Sequence, residues 1–340
     1  MIKQLKIKNL KGIKEGVLDL FPLTILIGSN NSGKTTILEA LFLAPNPFRK
    51  VPYVPHYSAV KVLHSLHKTL EDQGFAFLLY RYNAEEALID CNINGENYFL
   101  KFIKKDQYLY VSTNRTLKIF FEKGKQIDHF GYLSLFNYET KPLYTSPIIE
   151  SSLLISSNLL KAGFNYLKEN WVSIINMGIC RKIAEECSFF SSEKYKDITI
   201  EPFLGGKLSV YAYLEDGTRI RLGDLGEGIQ SYIIARILYE VEKPSMILWD
   251  DIESHFNPKI LLKISDWFAD LIDEGKQIIL TTHSLEAAKI VCSTVDPEKT
   301  RILLLNLEKN VLNKKELTLE ELKNFLKSGI DVRVTGSMLL

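Results

Sequence analysis

Residues 23–36 read Leu-Thr-Ile-Leu-Ile-Gly-Ser-Asn-Asn-Ser-Gly-Lys-Thr-Thr, and no other stretch of the chain restricts the fold so tightly. Leu23–Ile27 is a short apolar run rich in strand formers. Gly28-x-x-x-x-Gly33-Lys34-Thr35 then matches the phosphate-binding P-loop pattern at every fixed position. Ile37–Phe42 opens an apolar helix. Strand, glycine loop and helix in this order are the context the motif needs. Gly28 and Gly33 permit backbone angles and a close approach that a side chain would block. Successive backbone N–H groups then converge on one concavity, and the helix N-terminus adds partial positive charge. Gly28, Asn30, Asn31, Ser32, Gly33, Lys34, Thr35 and Thr36 are the candidate residues around a nucleotide's phosphates. Lys34 would neutralise the β- and γ-phosphates, and the Thr35 hydroxyl would ligate Mg²⁺.

The chain has 340 residues, room for one large α/β domain or two modest ones, and its 46% apolar content can fill a sizeable core. A net charge of +1 does not announce a nucleic-acid partner; a basic patch would have to be local. Cys91, Cys180, Cys187 and Cys292 are scattered, with no Cys-x-x-Cys pair, so they read as reduced core residues rather than a zinc site or a disulfide framework. No apolar run reaches the ~20 residues of a membrane helix, and the basic start lacks the apolar stretch of a signal peptide. The expectation is a soluble cytoplasmic protein with no membrane partner.

Ile2, Leu5 and Ile7 interleave with Lys3, Lys6 and Lys8, as in a strand with one solvent face, and Gly16–Leu20 reads as its returning partner. Lys11 and Lys14 fall near the turn and read as solvated lysines. Pro45, Pro47, Pro52 and Pro55 stop the P-loop helix. Helical period resumes over 57–72, with Val60, Leu63, Leu66 and Leu70 on one face; His64 and His67 share a face and read as a solvated or half-buried pair. Residues 75–138 alternate aromatic-rich runs (76–82, 87–93, 97–103, 107–112, 117–121) with polar turns, and Asn94-Gly95 is a hairpin signal. This is an antiparallel β region whose aromatics read as strand core. Residues 147–190 read as mostly helical. Strands return at Ile198–Ile200, Leu208–Leu214 and Arg219–Leu222, with a turn at Asp216-Gly217.

Three further stretches carry chemistry. Ser245–Asp251 is an apolar strand ending in carboxylates: Asp250 would hold Mg²⁺ through a water, and a neighbouring carboxylate would orient or deprotonate the attacking water. Thr281-Thr282-His283-Ser284 closes a second apolar strand, a position suited to a γ-phosphate sensor. Leu222–Ser231 carries Gly226 and Gly228 just before a helical run, a backbone-donor arrangement suited to an anion. Thr318-Leu-Glu-Glu321 is a capping box for a short helix through Leu326, followed by strand-like Ile330–Val334.

In this order the stretches resemble the ABC-type ATPase heads of the RecF/SMC/OLD group, AAA family ATPases with ABC architecture. The matching segments are Ile2–Leu20, Gly28–Leu41, Leu225–Gln230, Ile247–Pro258 and Ile278–Ser284. The resemblance implies an α/β, P-loop NTPase fold with a mixed sheet, an antiparallel β lobe and a helical insertion. It implies a single head over 1–340: a P-loop part at 1–56, an insertion at 57–195, a part at 196–315 carrying the remaining motifs, and a tail at 316–340. ATP and Mg²⁺ are the implied ligands. Leu225, Gly226, Glu227 and Gly228 fall on the signature motif, which would meet the γ-phosphate of ATP on a second copy and so make an ATP-dependent homodimer. Asp250 maps to the Walker B aspartate, His283 to the switch histidine and Ser254–Asn257 to the D-loop. The departures are Glu227 for the first signature glycine and Asp251 for the usual catalytic glutamate, one methylene shorter, with Glu253 in a second acidic position that would share its task. Gln107 is a weak match to the Q-loop glutamine. About 57 residues follow His283, so the nuclease (TOPRIM) domain of full OLD proteins is expected to be absent. DNA and a separate nuclease subunit are the implied partners, in repair or mobile-element defence. Two alternatives stand beside this one: the nucleotide-binding subunit of a membrane transporter, and an ATP-locked clamp without turnover.

Overall fold

A computed structural model of the chain describes residues 1–44, 46–54, 57–68, 74–105, 108–113, 119–122, 125–126 and 151–329. The first hairpin pairs β1 (Ile2–Leu10) with β2 (Ile13–Asp19). In β1 the residues Ile2, Leu5, Ile7 and Leu10 are buried while Lys3, Lys6 and Lys8 are exposed, as alternation demands of a one-sided strand. β3 (Leu23–Gly28) is buried at all six positions and delivers the glycine loop to α1 (Lys34–Leu43). α2 (Ala59–His67) follows.

The antiparallel region is β4 (Glu86–Ile93), β5 (Glu96–Lys105), β6 (Tyr108–Thr113), β7 (Ile119–Glu122) and β8 (Lys125–Gln126). Asn94 and Gly95, both with positive φ, make the expected turn between β4 and β5. β4 pairs with β1, so this region extends the main sheet. β9 (Ser152–Ile155) precedes three helices, α3 (Ser157–Glu169), α4 (Trp171–Asn176) and α5 (Ile179–Cys187). A separate antiparallel sheet joins β10 (Tyr195–Pro202), β11 (Leu208–Leu214) and β12 (Arg219–Arg221). Then come α6 (Glu227–Glu242), β13 (Met246–Trp249), α7 (Pro258–Asp273), β14 (Gln277–Thr282), α8 (Leu285–Val291), β15 (Thr300–Glu308), β16 (Val311–Leu317) and α9 (Leu319–Ser328).

Among the described residues the large sheet runs β8-β7-β6-β5-β4-β1-β2-β16-β15-β3-β14-β13-β9. Its centre, β15-β3-β14-β13-β9, is parallel. That forces the carboxyl ends of β3, β13 and β14 to one edge, where open α/β sheets bind ligands. α1 packs on this centre and buries Ile37, Leu38 and Ala40–Leu43. The Gln277 side chain ties the start of β14 to the chain's beginning: it accepts from the Ile2 N–H at 2.9 Å and donates to the carbonyls of Ile2 (2.8 Å) and Phe21 (3.2 Å). The Thr318–Glu321 capping box forms as expected, and Gly329 closes α9 in the left-handed region.

One local expectation is corrected and one is refined. Residues 76–82 are not a strand but two short 3₁₀ turns, Ala76–Leu78 and Tyr80–Tyr82. Arg81 and Tyr82 sit at positive φ, which a ladder cannot accommodate, and Leu78 and Leu79 are buried as core rather than paired along a strand. The described part of the window 147–190, from residue 151 on, is mostly helical as expected, but it also holds β9, a fully buried strand on the edge of the parallel centre. Gln107, Leu70 and Ile330–Val334 lie outside the described residues.

Candidate nucleotide site

The loop after β3 is shaped by its two glycines. A Cβ on Gly28 would lie 2.5 Å from both the Leu305 carbonyl oxygen and Ser32 Oγ, so no side chain fits there. Asn31 (φ 62°) and Gly33 (φ 91°) turn the backbone left-handed, and Gly33 caps α1. Left-handed residues interspersed in such a loop curl its N–H groups into an anion-binding nest. Asn30, Asn31 and Thr35 are exposed, Thr36 is half-buried and Ser32 is buried. Lys34 is buried and folds back over the loop: Nζ donates to the carbonyls of Gly28 (3.0 Å) and Ser29 (2.9 Å) and to Ser32 Oγ (3.4 Å). Burial lowers its pKa, while the charges of Asp251, Asp250 and Glu253 oppose the shift. The ammonium therefore faces the acidic strand end.

That strand end is built by β13 and β14. The Asp250 N–H donates to the Ile155 carbonyl of β9 at 2.8 Å, which fixes the turn leaving β13. Both Asp250 carboxylate oxygens lie 3.2 Å from Thr35 Oγ1. Burial raises the Asp250 pKa, the Thr281 hydrogen bond opposes this, and the neighbouring Asp251 charge adds to it. Asp251 sits at φ 48°, a left-handed conformation uncommon for a residue with a side chain. Its carboxylate lies 3.5 Å from His283 Nε2. Glu253 accepts from the backbone N–H of His283, while its second oxygen is buried with no hydrogen-bond partner among the described residues. The structure thus brings Lys34, Thr35, Asp250, Asp251, Glu253 and His283 to one edge of the sheet.

Two residues of this neighbourhood have partners that the motif reading does not give. Thr281 donates to Asp250 Oδ1 and accepts from the Asp251 N–H, both at 2.8 Å. The sequence places Thr281 in the polar strand end suited to a γ-phosphate sensor; its hold on the two aspartates one strand over shows only in the structure. Glu39 is the second. It is buried in α1 and paired with Lys11 of the β1–β2 turn and His67 of α2, with Lys11 Nζ 2.7 Å from His67 Nε2. A lone carboxylate within Ile37–Phe42 is the sequence sign. Lys11 and His67 are accordingly partners of a buried acid, where the residue types alone suggested a solvated lysine and a solvated or half-buried histidine.

Leu225–Gly228 lies at the start of α6, with Gly226 as its N-cap. Gly226 and Glu227 are exposed, and nothing lies within 4 Å of where a Gly226 Cβ would stand. The turn before it is braced locally: Arg221 forks onto Asp224 (2.6 and 2.8 Å), and Gln230 Nε2 donates to the Leu225 carbonyl. Farther along, α6 is firmly held. Arg236 pairs with Glu186 (2.9 and 3.0 Å) and Glu240 (3.0 Å), with its guanidinium 4.6 Å from the Trp267 ring centroid.

The donor set of Thr35 and Asp250 consists of hard oxygens, which suits Mg²⁺. Mg²⁺ bound by one or two protein oxygens plus phosphates and water needs no protein cage. Among the described residues no cluster of three His, Cys, Asp or Glu side chains forms one. No described helix is long and apolar enough to cross a membrane.

Sheet order, glycine loop and acidic strand end together define a P-loop NTPase fold. The AAA ATPase domain family model matches residues 1–177, and a second AAA domain model, described with the AbiEii toxin of Type IV TA systems, matches 146–288. The chain belongs to the AAA ATPase domain family. It is 22% identical over 336 residues to an "ATP/GTP phosphatase" of Helicobacter pylori, covering 86% of this chain and 87% of that protein. It is 27% identical over 176 residues to the DNA replication and repair protein RecF of Colwellia psychrerythraea, about half of each chain (48% and 46%). The Smc head bound to the C-winged helix domain of ScpA superposes with a TM-score of 0.54 at 14% identity, over 95% of this chain and 99% of that one. The Pyrococcus furiosus Smc head with an extended coiled coil, bound to the C-terminal domain of ScpA, gives 0.52 at 12%, over 97% and 99%. At these identities the likeness is one of fold.

Proposed function

We propose that the chain is an ATP-driven switch that binds ATP with Mg²⁺, pairs with a second copy around the nucleotide, and hydrolyses slowly. One observation carries this reading: Lys34 and Thr35 at the start of α1, Asp250 and Asp251 after β13, and His283 after β14 converge where three parallel strands end. Bound Mg²⁺ would supply charge neutralisation at the β- and γ-phosphates, held by Thr35 and Asp250. Lys34 exchanges the loop's own carbonyls for phosphate oxygens. Asp251 orients and deprotonates the attacking water, and His283, against the same carboxylate, holds it in place. Glu253 fixes the His283 backbone and stands close enough to share the base role. Leu225–Gly228 of a second copy closes the site over the γ-phosphate, so ATP favours the paired state by touching both copies.

The output we assign is work on DNA, directly or by licensing a partner nuclease. The RecF relative, named for DNA replication and repair, supports it. The chain acts as a single head in the cytoplasm. The deciding experiment is ATP turnover with Mg²⁺, alongside light scattering with and without ATP. A monomer that becomes a dimer with ATP and returns as phosphate is released is the expected result; the lack of both turnover and pairing would refute the switch. A second reading, a clamp that locks on ATP without turnover, draws on Asp251. Its carboxylate is one methylene shorter than a glutamate and lies against His283, which could hold it off the water. Single-turnover phosphate release separates the two.

A further inference from the structure

We infer that the Thr281 hydroxyl is a positioning residue that sets the metal-binding carboxylate of Asp250 and the backbone of Asp251 at the same time. This rests on the ATP·Mg²⁺ reading of the site. A threonine hydroxyl has one proton to give and two lone pairs. Here the proton goes to Asp250 Oδ1 at 2.8 Å, and a lone pair takes the Asp251 N–H at 2.8 Å. Thr281 is fully buried on β14.

The two bonds do different work. The first holds the Asp250 carboxylate so that both oxygens stand 3.2 Å from Thr35 Oγ1, the other protein oxygen aimed at Mg²⁺. The second pins the amide of a residue at φ 48°, a conformation that needs support from its surroundings. It thereby fixes where the Asp251 side chain leaves the backbone, toward His283. Thr282, next along the strand, spends its hydroxyl on Ser284 and takes no part. The proposal therefore concerns one hydroxyl and not the threonine pair.

Thr281→Val keeps the shape and removes both bonds; Thr281→Ser keeps both. The readout is equilibrium binding of a fluorescent ATP analogue to the full chain, once with Mg²⁺ and once with EDTA, with a thermal melt of each variant. Outer-shell partners of metal ligands typically account for about 10- to 100-fold in metal affinity. The Mg²⁺-dependent gain in nucleotide affinity should fall by about that factor in Thr281→Val, with EDTA binding unchanged, and should persist in Thr281→Ser. Equal loss with Mg²⁺ and with EDTA, or no loss in either, overturns the inference. If Thr281→Val gives no native melt, Thr281→Ala makes the same test without a methyl against Asp250. If the wild-type chain itself gains no affinity from Mg²⁺, the reading of the metal site fails first and the inference falls with it.

Discussion

In the P-loop half of the site, side chains reach across the sequence to hold one another. Thr35 meets Asp250, Thr281 meets Asp250 and Asp251, and Glu39 meets Lys11 and His67. The Leu225–Gly228 segment is held otherwise: Arg221–Asp224 and Gln230–Leu225 brace it from its own vicinity, and open space lies over Gly226. Yet the helix behind it is anchored deep by Arg236. One half is thus assembled within a single copy, while the other presents a helix start to solvent. The proposed pairing around ATP would require this asymmetry.

Mutations can break that comparison in order of expected size. Asp251→Asn tolerates the left-handed backbone, since asparagine adopts it readily. It should lower turnover by about 10²- to 10⁴-fold, the usual worth of a general base, and accumulate the ATP-bound dimer. Turnover close to wild type in a phosphate-release assay would move the base role to Glu253. Lys34→Ala removes the loop's cation and its charge-assisted bonds. Nucleotide affinity by calorimetry should drop about 100-fold, and tight binding in the variant would refute the phosphate assignment. Gly226→Arg acts on the other half. The space above Gly226 is open and its φ is −59°, so the monomer should melt as wild type and bind ATP as before. ATP-dependent pairing should weaken about tenfold or more, because the added side chain occupies the surface a second copy needs. Normal dimerisation in light scattering would remove Leu225–Gly228 from the interface.

The same contrast separates what the sequence discloses from what it hides. The P-loop is legible because phosphate binding imposes fixed glycine, lysine and threonine spacing. Asp250 is legible because a carboxylate at the end of an apolar run has few other uses, and β1 because lysines and aliphatics alternate. β9 is not: four buried residues in a helical window carry no period, and only pairing with β13 makes them a strand. The run at 76–82 has strand composition, but Arg81 and Tyr82 at positive φ turn it aside. Thr281 is legible as part of a polar strand end, but its two aspartate partners appear only when β14 lies beside β13.

Glu39 offers the smallest and sharpest test of how the P-loop half is held. Burial pushes its pKa up, but the hydrogen bond with His67 and the charge of Lys11 outweigh this and hold it below the ordinary glutamate value. The folded chain therefore favours the carboxylate. The stability this contributes is present above the ordinary glutamate pKa and is lost as pH falls through the lower folded value. Glu39→Gln leaves Lys11 and His67 facing a neutral partner and should cost about 1–3 kcal/mol at pH 7, read by urea unfolding. The gap between wild type and variant should narrow as pH drops below the ordinary glutamate range; a gap independent of pH would mean that packing, not charge, holds α1. Because Glu39 sits one helical turn past Thr35, the variant should also bind ATP more weakly. At saturating ATP, however, it should pair as well as wild type, since nothing in the Leu225–Gly228 segment depends on it.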